Sequence, residues 1–318
     1  MDFEGAHAAV AGIARKTPLL EDPELSERLG RPVFVKAECL QVTGSFKVRG
    51  AAARLSALTP TERAQGVVAC SSGNHGRAVA HVAQRLGIPA TVCVPEWVDS
   101  VKLGGIRAAG AETILVGASF DASEAHAVAL ASSTGRTYVS AYDDPWVIAG
   151  QGTIAREITE QLGKVPGVVV VPLSGGGLLG GIAAAFAHQQ GEGPPHMVGA
   201  SAEKAAVMLA SVRAGRPVEV EEEETLANAL AGGIGLDNRY SFALIRDLTD
   251  THVTVSEAQI AEAMAYSTRA LRLVAEGGGA VGLAVLLSDW SPPPAAEGAI
   301  VVVLSGGNVA PEVLASVL

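Results

Sequence analysis

Aromatic and charged residues are scarce in this sequence. Only 4% of the 318 residues are Phe, Trp or Tyr and 18% are charged, whereas 48% are hydrophobic. The core must therefore be built mainly from Ala, Val, Leu and Ile. The chain is long enough for one large domain or for two of ordinary size.

Long apolar runs and an excess of positive charge are also missing. No stretch reaches the roughly 18 consecutive apolar residues of a transmembrane helix. Residues 1–4 show no basic segment followed by an apolar one, as a signal peptide would. The formal net charge of −10 disfavours general electrostatic binding to nucleic acid. We therefore expect a cytoplasmic protein with neither a nucleic-acid nor a membrane partner.

Cysteine is rare, whereas glycine is abundant. Cys39, Cys70 and Cys93 are odd in number and lack the spacing of metal ligands, which predicts reduced, mostly buried thiols. The 37 glycines form no repeating tract but cluster at a few places. Such clusters indicate turns that approach a ligand closely.

Short apolar runs alternate with helical segments over residues 66–143. This alternation predicts right-handed strand–helix–strand crossovers and a parallel sheet. Further apolar strands are predicted outside this unit, at 33–38, 167–173, 197–200, 251–255 and 299–304. The sequence therefore predicts an α/β fold with open parallel sheets.

Three polar or glycine-rich turns each follow a predicted strand, at 71–76, 174–177 and 305–308. Ligands of open α/β sheets collect at the carboxyl ends of the strands. The turn at 71–76, with a helix expected after it at 78–86, offers hydroxyls, an amide and a helix N-terminus to a substrate carboxylate. Its lone histidine, His75, is more typical of a local hydrogen bond than of a metal ligand.

The turn Ser174-Gly175-Gly176-Gly177 joins a strand to a helix. Backbone N–H groups at such a junction, together with the helix dipole, can cradle an anion. No Gly-Lys-Ser/Thr follows, so this is not a P-loop, and no acidic residue ends the next strand as a dinucleotide site requires. A phosphate cradle and a tight turn without a ligand both remain open from these residues alone.

Lys47 opens a helical segment of small residues after an apolar strand. A lysine at the start of a helix is usually a solvated surface charge. The neighbouring Phe46 and the glycines on either side also allow a position inside a pocket. The two interpretations are separated only by the motifs that follow along the chain.

Four motifs resemble, in the same order, those of pyridoxal-phosphate enzymes of the tryptophan-synthase-β fold type, also called fold type II. They are Ser45-Phe46-Lys47-Val48-Arg49-Gly50-Ala51, Ser71-Ser72-Gly73-Asn74-His75-Gly76, Ser174-Gly175-Gly176-Gly177-Leu178 and Ser305-Gly306-Gly307-Asn308. Nearly the whole chain is similar to the threonine/serine dehydratase and serine racemase branch. The resemblance implies a homodimer whose large cofactor-binding domain, residues 1–65 and 144–318, carries a small substrate-binding domain, residues 66–143, as an insertion.

The resemblance also implies how pyridoxal 5'-phosphate would be held. Lys47 would form a Schiff base with the cofactor, and Phe46 would pack beside its ring. Ser305 would face the ring nitrogen, Asn74 would bond the ring 3-hydroxyl oxygen, and Glu276 falls where the family has a carboxylate near the ring. The phosphate would be cradled by Ser174, Gly175, Gly176, Gly177 and Leu178.

The implied substrate is an amino acid held by its carboxylate and handled by two groups. The carboxylate would be bound by Ser71, Ser72, Gly73, Asn74 and His75. Lys47 would remove the α-proton, and Ser72 matches the acid/base that racemases place on the opposite face of the cofactor. A desolvated amine suits both the bond to the aldehyde and proton transfer, while the cofactor takes up the negative charge.

The implied reaction is the dehydration and deamination of a 3-hydroxy amino acid to a 2-oxo acid and ammonia. A hydroxyl at Ser305, unlike a carboxylate, does not force the ring nitrogen to stay protonated, which favours expulsion of a β-leaving group. A serine-type racemase on the same scaffold is an alternative. A non-catalytic amino-acid or nucleotide binding protein, using the glycine turns without a covalent cofactor, is a second one.

The chain departs from its branch at several positions. Glu203 matches the first ligand of the racemase cation site, but Val207 and Leu209 occupy the other two positions, so no metal site is predicted. The segment 226–240 resembles dehydratase-like proteins linked to hydroxyectoine breakdown. That resemblance would imply a 3-hydroxy-2,4-diamino acid as substrate, with Asp237 and Arg239 as candidate contacts or as an ordinary surface pair.

Overall fold

A computed structural model describes residues 1–71, 73–96, 98, 100–189 and 193–318, without the side chains of residues 100–102. Within these residues the strands are β1 Leu19–Glu21, β2 Val33–Lys36, β3 Val67–Cys70, β4 Ala90–Val94, β5 Glu112–Leu115, β6 Thr137–Tyr138, β7 Val168–Pro172, β8 His196–Ala202, β9 Thr251–Val255 and β10 Ile300–Val303. The α-helices are α1 Phe3–Ala11, α2 Pro23–Leu29, α3 Lys47–Ser56, α4 Pro60–Gln65, α5 Asn74–Leu86, α6 Ser100–Ala108, α7 Phe120–Thr134, α8 Pro145–Leu162, α9 Gly177–His188, α10 Val207–Ala214, α11 Ser241–Leu248, α12 Glu257–Arg269, α13 Gly277–Leu287 and α14 Pro311–Val317. Spanning a membrane would take a longer and more apolar helix than any of those described.

The strands form two sheets. The larger has the order β1-β2-β10-β7-β8-β9, and the smaller has the order β5-β4-β3-β6. Every pairing is parallel except that of β1, which runs antiparallel to β2 at one edge of the larger sheet. The prediction of an α/β fold with open parallel sheets is therefore confirmed, with β1 as an antiparallel edge strand that sequence analysis missed.

The smaller sheet is built from one continuous part of the chain. Its strands lie between residues 67 and 138, and the strands of the larger sheet lie on either side of this part. The division into domains of residues 1–65 with 144–318 and of 66–143 stays a prediction. In the larger sheet β10, the last strand along the chain, lies in the interior between β2 and β7.

Both faces of the larger sheet are covered by helices. In β7, Val168 and Val170 belong to the core that includes α12 and α13, whereas Val169 and Val171 belong to the core that includes α8 and α9. Because side chains alternate along a strand, a strand with helices on both faces reads as a continuous apolar run. That is why this strand was visible in the sequence.

The smaller sheet is packed in the same way. Val67 and Ala69 face α3 and α5, while Val68 and Cys70 face α7. The three cysteines of the chain are buried and free, as expected from their number and spacing. The sequence placed the start of the helix after β3 near residue 78, and this was wrong: α5 begins at Asn74, with Gly73 as its N-cap.

Candidate active site

Lys47 is the first residue of α3, and the loop after β10 holds the backbone that precedes it. Ser45 forms an isolated antiparallel bridge with Gly306. The Phe46 N–H donates to the Ser305 carbonyl at 3.0 Å. The lysine loop and the loop after β10 therefore lie side by side at the carboxyl edge of the larger sheet.

The Lys47 side chain is only partly exposed. Its Nζ donates to the Ala141 carbonyl at 2.8 Å and lies 5.2 Å from the centre of the Phe46 ring. Burial lowers the pKa of Lys47 to about 8, even though the charge of Glu276 acts to raise it. Lys47 is thus not a solvated surface charge, and its neutral, nucleophilic form is far more populated near neutral pH than in an exposed lysine.

Asn74 and Glu276 meet although 202 residues separate them along the chain. Asn74 is the first residue of α5, and its Nδ2 donates to Oε1 of Glu276 at 2.6 Å. The Glu276 backbone N–H, directly before α13, donates to the Gly306 carbonyl at 3.1 Å. The loop after β10 therefore contacts both the lysine loop and the residue that binds Asn74.

The residues predicted to bind a substrate carboxylate lie where β3 passes into α5. The Ser71 Oγ accepts a hydrogen bond from the Gly73 N–H at 3.0 Å. Ser72 lies outside the described residues, so its assignments as substrate ligand and as acid/base stay predictions. Backbone N–H groups of the first turn of α5 have no partner within the helix and are suited to an anion.

The His75 side chain is turned to the protein interior. It is buried, and its Nε2 lies 2.9 Å from the Val139 carbonyl. Burial, together with the charge of Lys47, lowers the pKa of His75 to about 3. The imidazole is therefore neutral and donates to Val139, and what His75 can offer a carboxylate is its backbone N–H.

The glycine turn after β7 is shaped by one aromatic residue. Gly176 is the N-cap of α9 and has φ +84°, a conformation that favours glycine. A Cβ on Gly175 would overlap the Tyr142 ring, and one on Gly177 would lie 2.7 Å from the Tyr142 carbonyl oxygen. The turn thus needs glycine because Tyr142 packs directly on it.

The segment 141–142 connects this turn to the lysine, since Ala141 accepts the Lys47 hydrogen bond and Tyr142 covers the glycines. Beside the turn, Ser174 Oγ donates to the Leu230 carbonyl at 2.9 Å, which ties the turn to the segment 226–240. Leu178 is buried at the start of α9.

These groups fit an aldehyde cofactor that carries a phosphate. The amine has a lowered pKa, and a helix N-terminus in a glycine turn supplies N–H groups for a phosphate. The buried hydroxyls of Thr43 and Ser45 in the lysine loop have no hydrogen-bond partner among the described residues. Unused polar atoms of this kind, in the same loop as the lysine, suit the polar substituents of a ligand.

The fold and this site are those expected of an enzyme that uses an aldehyde cofactor at the edge of a parallel sheet. The chain belongs to the family described as "Pyridoxal-phosphate dependent enzyme", whose sequence profile matches residues 10–306. The cofactor of this family is pyridoxal phosphate. The expectation of a pyridoxal-phosphate enzyme of fold type II is confirmed, and the non-catalytic binding protein is no longer needed as an alternative.

Individual members of the family show which of its enzymes the chain is similar to. It is 39% identical to the L-threonine ammonia-lyase of Thermotoga maritima over 308 residues, which are 97% of this chain and 75% of that protein. Maize serine racemase superposes with a TM-score of 0.91 at 31% identity, covering 99% of this chain and 94% of that one. The processed form of threonine deaminase isoform 2 from Solanum lycopersicum gives a TM-score of 0.89 at 32% identity, with 99% and 91% covered.

Sequence analysis missed the residues that join the motifs to one another. Ala141 and Tyr142 follow β6 without any distinctive local pattern. Asp143 accepts the backbone N–H groups of residues 239–241 at 2.7–2.9 Å and so fixes the start of α11. Asp237 and Arg239 are exposed, and no salt bridge joins these two described residues.

Proposed function

We propose that the protein removes the β-hydroxyl group and the amino group of a 3-hydroxy amino acid of the threonine or serine type, releasing a 2-oxo acid and ammonia. The observation that carries this proposal is the Lys47 amine. It is shielded from water, its pKa is lowered to about 8, and it lies in a loop paired with the loop of Ser305. The similarity to an L-threonine ammonia-lyase over almost the whole chain supports the reaction.

Lys47 both holds the cofactor and moves the proton in this proposal. Bound pyridoxal phosphate supplies an electron sink next to the substrate α-carbon. An amine with a pKa near the working pH can accept the α-proton and give it up again at little cost. The Ala141 carbonyl, 2.8 Å from Nζ, orients the amine while it is not bonded to the cofactor.

The remaining predicted residues bind and orient. The N-terminal turn of α9, with Ser174, Gly175, Gly176, Gly177 and Leu178, holds the phosphate. The side chain of Asn74 donates to the ring oxygen, and Ser305, buried at the end of β10, gives the ring nitrogen a neutral partner. The N-terminal turn of α5, with Ser71 and Ser72, binds the substrate carboxylate.

A lysine variant tests the assignment. Lys47→Ala should lose the visible absorbance of the covalently bound cofactor and should lower turnover about 10³-fold, within the range of lost acid–base catalysis. Lys16→Ala is the matched control, because Lys16 is an exposed partner of Glu160. Absorbance spectra, borohydride trapping with peptide mapping, and 2-oxo acid release from L-threonine and L-serine would be measured. A Lys47→Ala protein that kept both colour and turnover would overturn the proposal.

The identity of the side chain on the substrate β-carbon needs a separate proposal. A 3-hydroxy-2,4-diamino acid derived from hydroxyectoine remains a proposal that rests on the segment 226–240 alone. The Ser174–Leu230 hydrogen bond brings that segment next to the glycine turn, where it can line the site. Comparing kcat/KM for threonine, serine and the diamino acid would decide between them, and a preference for threonine would reject the diamino acid.

A serine-type racemase is the second candidate, and the similarity to maize serine racemase favours it. It would use Ser72 on the face opposite Lys47. Following the optical activity of each serine enantiomer alongside 2-oxo acid release separates the two reactions. We also propose a homodimer, which light scattering on the purified protein would test.

A further inference from the structure

A chain of side-chain hydrogen bonds runs from Arg77 to Glu276. Arg77 Nη1 donates to Asn308 Oδ1 at 2.8 Å, and Asn308 Nδ2 donates to Asn74 Oδ1 at 2.6 Å. Asn74 Nδ2 in turn donates to Glu276 Oε1 at 2.6 Å. Asn308 Nδ2 also donates to the Thr43 carbonyl at 2.9 Å. The first three bonds join a guanidinium, two amides and a carboxyl group in sequence, and the fourth ties Asn308 to the backbone of the lysine loop.

The chemistry of the end groups leaves the amides one orientation. A guanidinium can only donate and a backbone carbonyl can only accept. The Asn308 amide must therefore turn its Oδ1 to Arg77 and its Nδ2 to the Thr43 carbonyl. Asn308 must then present Nδ2 to Asn74, and Asn74 must accept through Oδ1. The Nδ2 of Asn74 is thereby directed to the side of Glu276, with one of its two hydrogens used in that bond.

Asn308 is itself held tightly between segments that are distant along the chain. A Cβ on Gly44 would overlap the Asn308 amide and lie 2.8 Å from its Cγ, and Gly44 has φ +77°. Gly307 N–H donates to the Gly44 carbonyl at 2.9 Å. The amide therefore lies flat against the lysine loop, three residues before Lys47, and cannot turn without disturbing that loop.

We propose that Arg77 and Asn308 are positioning residues that fix the Asn74 amide with Nδ2 as its donor end toward the cofactor ring. The inference rests on the proposed function, because it needs a cofactor with a ring oxygen for the second Nδ2 hydrogen. Arg77 and Asn74 belong to α5, which packs on a face of the smaller sheet, whereas Asn308 and Glu276 belong to loops of the larger sheet. The same bonds therefore hold α5 at a set distance from the lysine loop.

Two substitutions weaken the restraint on the Asn74 amide without removing Asn74. Arg77→Met deletes the donor that holds Asn308 Oδ1. Asn308→Asp keeps the size and the acceptor for Arg77 but deletes both Nδ2 hydrogens. Asn74 Oδ1 then faces a carboxylate and has no donor, so the Asn74 amide is held by Glu276 alone and its second Nδ2 hydrogen is no longer fixed toward the ring oxygen.

The experiment titrates cofactor-free protein with pyridoxal phosphate and records the spectrum of the bound cofactor as a function of pH. Arg77→Met and Asn308→Asp should bind the cofactor about tenfold more weakly, the effect of one lost hydrogen bond to a charged group. Both should also shift the absorbance maximum or its pH midpoint, since the donor to the ring oxygen is held less firmly. Arg77→Lys, which keeps a donor, should recover part of both changes.

Arg85→Met provides the matched control, because Arg85 lies on α5 but donates to the Gly12 carbonyl instead. It should bind and absorb as the wild type does. A partly unfolded variant would bind less cofactor without moving the wavelength of what is bound, so the spectrum separates orientation from stability. Wild-type spectrum and affinity in Arg77→Met would overturn the inference alone, whereas failure of the wild type to take up the cofactor would overturn the proposed function as well.

Discussion

At the scale of single residues, burial lowers the pKa of Lys47 by more than the charge of Glu276 raises it. Taking the ammonium out of water lowers its pKa from an ordinary 10.5 to about 8, although Glu276 acts in the other direction. The same burial leaves His75 neutral, since its pKa falls to about 3. Lys47 and His75 would both carry a positive charge on a surface near pH 6. Burial lowers both pKa values and so favours the neutral form of each side chain.

The lowered pKa of Lys47 predicts how the cofactor-free protein reacts with pyridoxal phosphate. Only the neutral amine attacks the aldehyde, so the rate of capture should rise with pH and reach its midpoint near pH 8. Stopped-flow absorbance would measure the rate. Glu276→Gln removes the charge that raises the pKa, so its midpoint should be lower. A midpoint near 10.5 in the wild type would show that the lysine is solvated.

Residue-level analysis of the sequence could single out groups inside motifs but not the contacts between motifs. Lys47 and Asn74 could be singled out because each stands at a strand–helix junction. The bond from Arg77 to Asn308 joins residues 231 positions apart, and the bond from His75 to Val139 joins residues 64 apart. No local pattern carries such long-range pairings.

At the scale of elements, the glycine turn before α9 is defined by its contact with Tyr142. The contact differs between two glycines: Gly175 faces the Tyr142 ring, while Gly177 faces Tyr142 backbone atoms. A ring can be removed by substitution, whereas a backbone atom cannot. This difference makes the tightness of the turn testable.

Gly175→Ala and Gly177→Ala should both weaken cofactor binding and cost about 1–3 kcal/mol of stability through overpacking. In a Tyr142→Ala background, the cost of Gly175→Ala should largely disappear, whereas that of Gly177→Ala should persist. Cofactor titration and thermal unfolding of the four variants and their parents would measure both effects. Equal relief for the two glycines would show that the Tyr142 ring is not what closes the turn.

Elements were predictable where apolar residues are bounded by breakers. Strand β4, for example, fills the apolar run between Pro89 and Pro95. The start of α5 was missed because Gly73 and Asn74 favour turns, although here they begin the helix. Strand β1 has three residues and becomes a strand only through its pairing with β2.

At the scale of the whole molecule, a buried cluster of charges fixes α3 and the edge of the larger sheet to α8. Arg49 contacts Glu38 at 2.8 Å and Glu157 at 2.7 Å, and Glu157 contacts Lys36 at 2.6 Å. Two cations thus balance two carboxylates. Burial raises the pKa of Glu38, but the charges of Arg49 and Lys36 and the hydrogen bonds from Arg49 and Thr17 together leave that pKa below its usual value.

Removing one charge from this cluster should destabilise the protein strongly. Glu157→Gln leaves Lys36 and Arg49 with one carboxylate between them, and breaking a buried pair costs about 3–5 kcal/mol. Glu160→Gln, on the same helix but in exposed pairs with Lys16 and Arg156, should cost about 1 kcal/mol or less. Urea unfolding at neutral pH would give both values. Similar costs for the two variants would contradict the structural importance of the cluster.

The sequence could not reveal this cluster, because lysine, arginine and glutamate are mostly exposed in proteins. Its members lie on β2, in the short 3-10 helix after β2, on α3 and on α8, and Lys36 is 121 residues from Glu157. The linkage of stability to pH follows from Glu38: its contribution is complete above its ordinary pKa of 4.5 and is lost as the pH falls through the lower folded value.

The order of strands in the larger sheet has a consequence for the growing polypeptide during translation. Arg49 precedes Glu157 by 108 residues, so at about 5–20 residues per second its second carboxylate emerges about 5–20 s later. Strand β10 then has to enter between β2 and β7, and only the loop that follows it can bond Phe46. Lys47 is therefore synthesised early, whereas the backbone pairing that holds its loop can form only after residues 305–307 have left the ribosome.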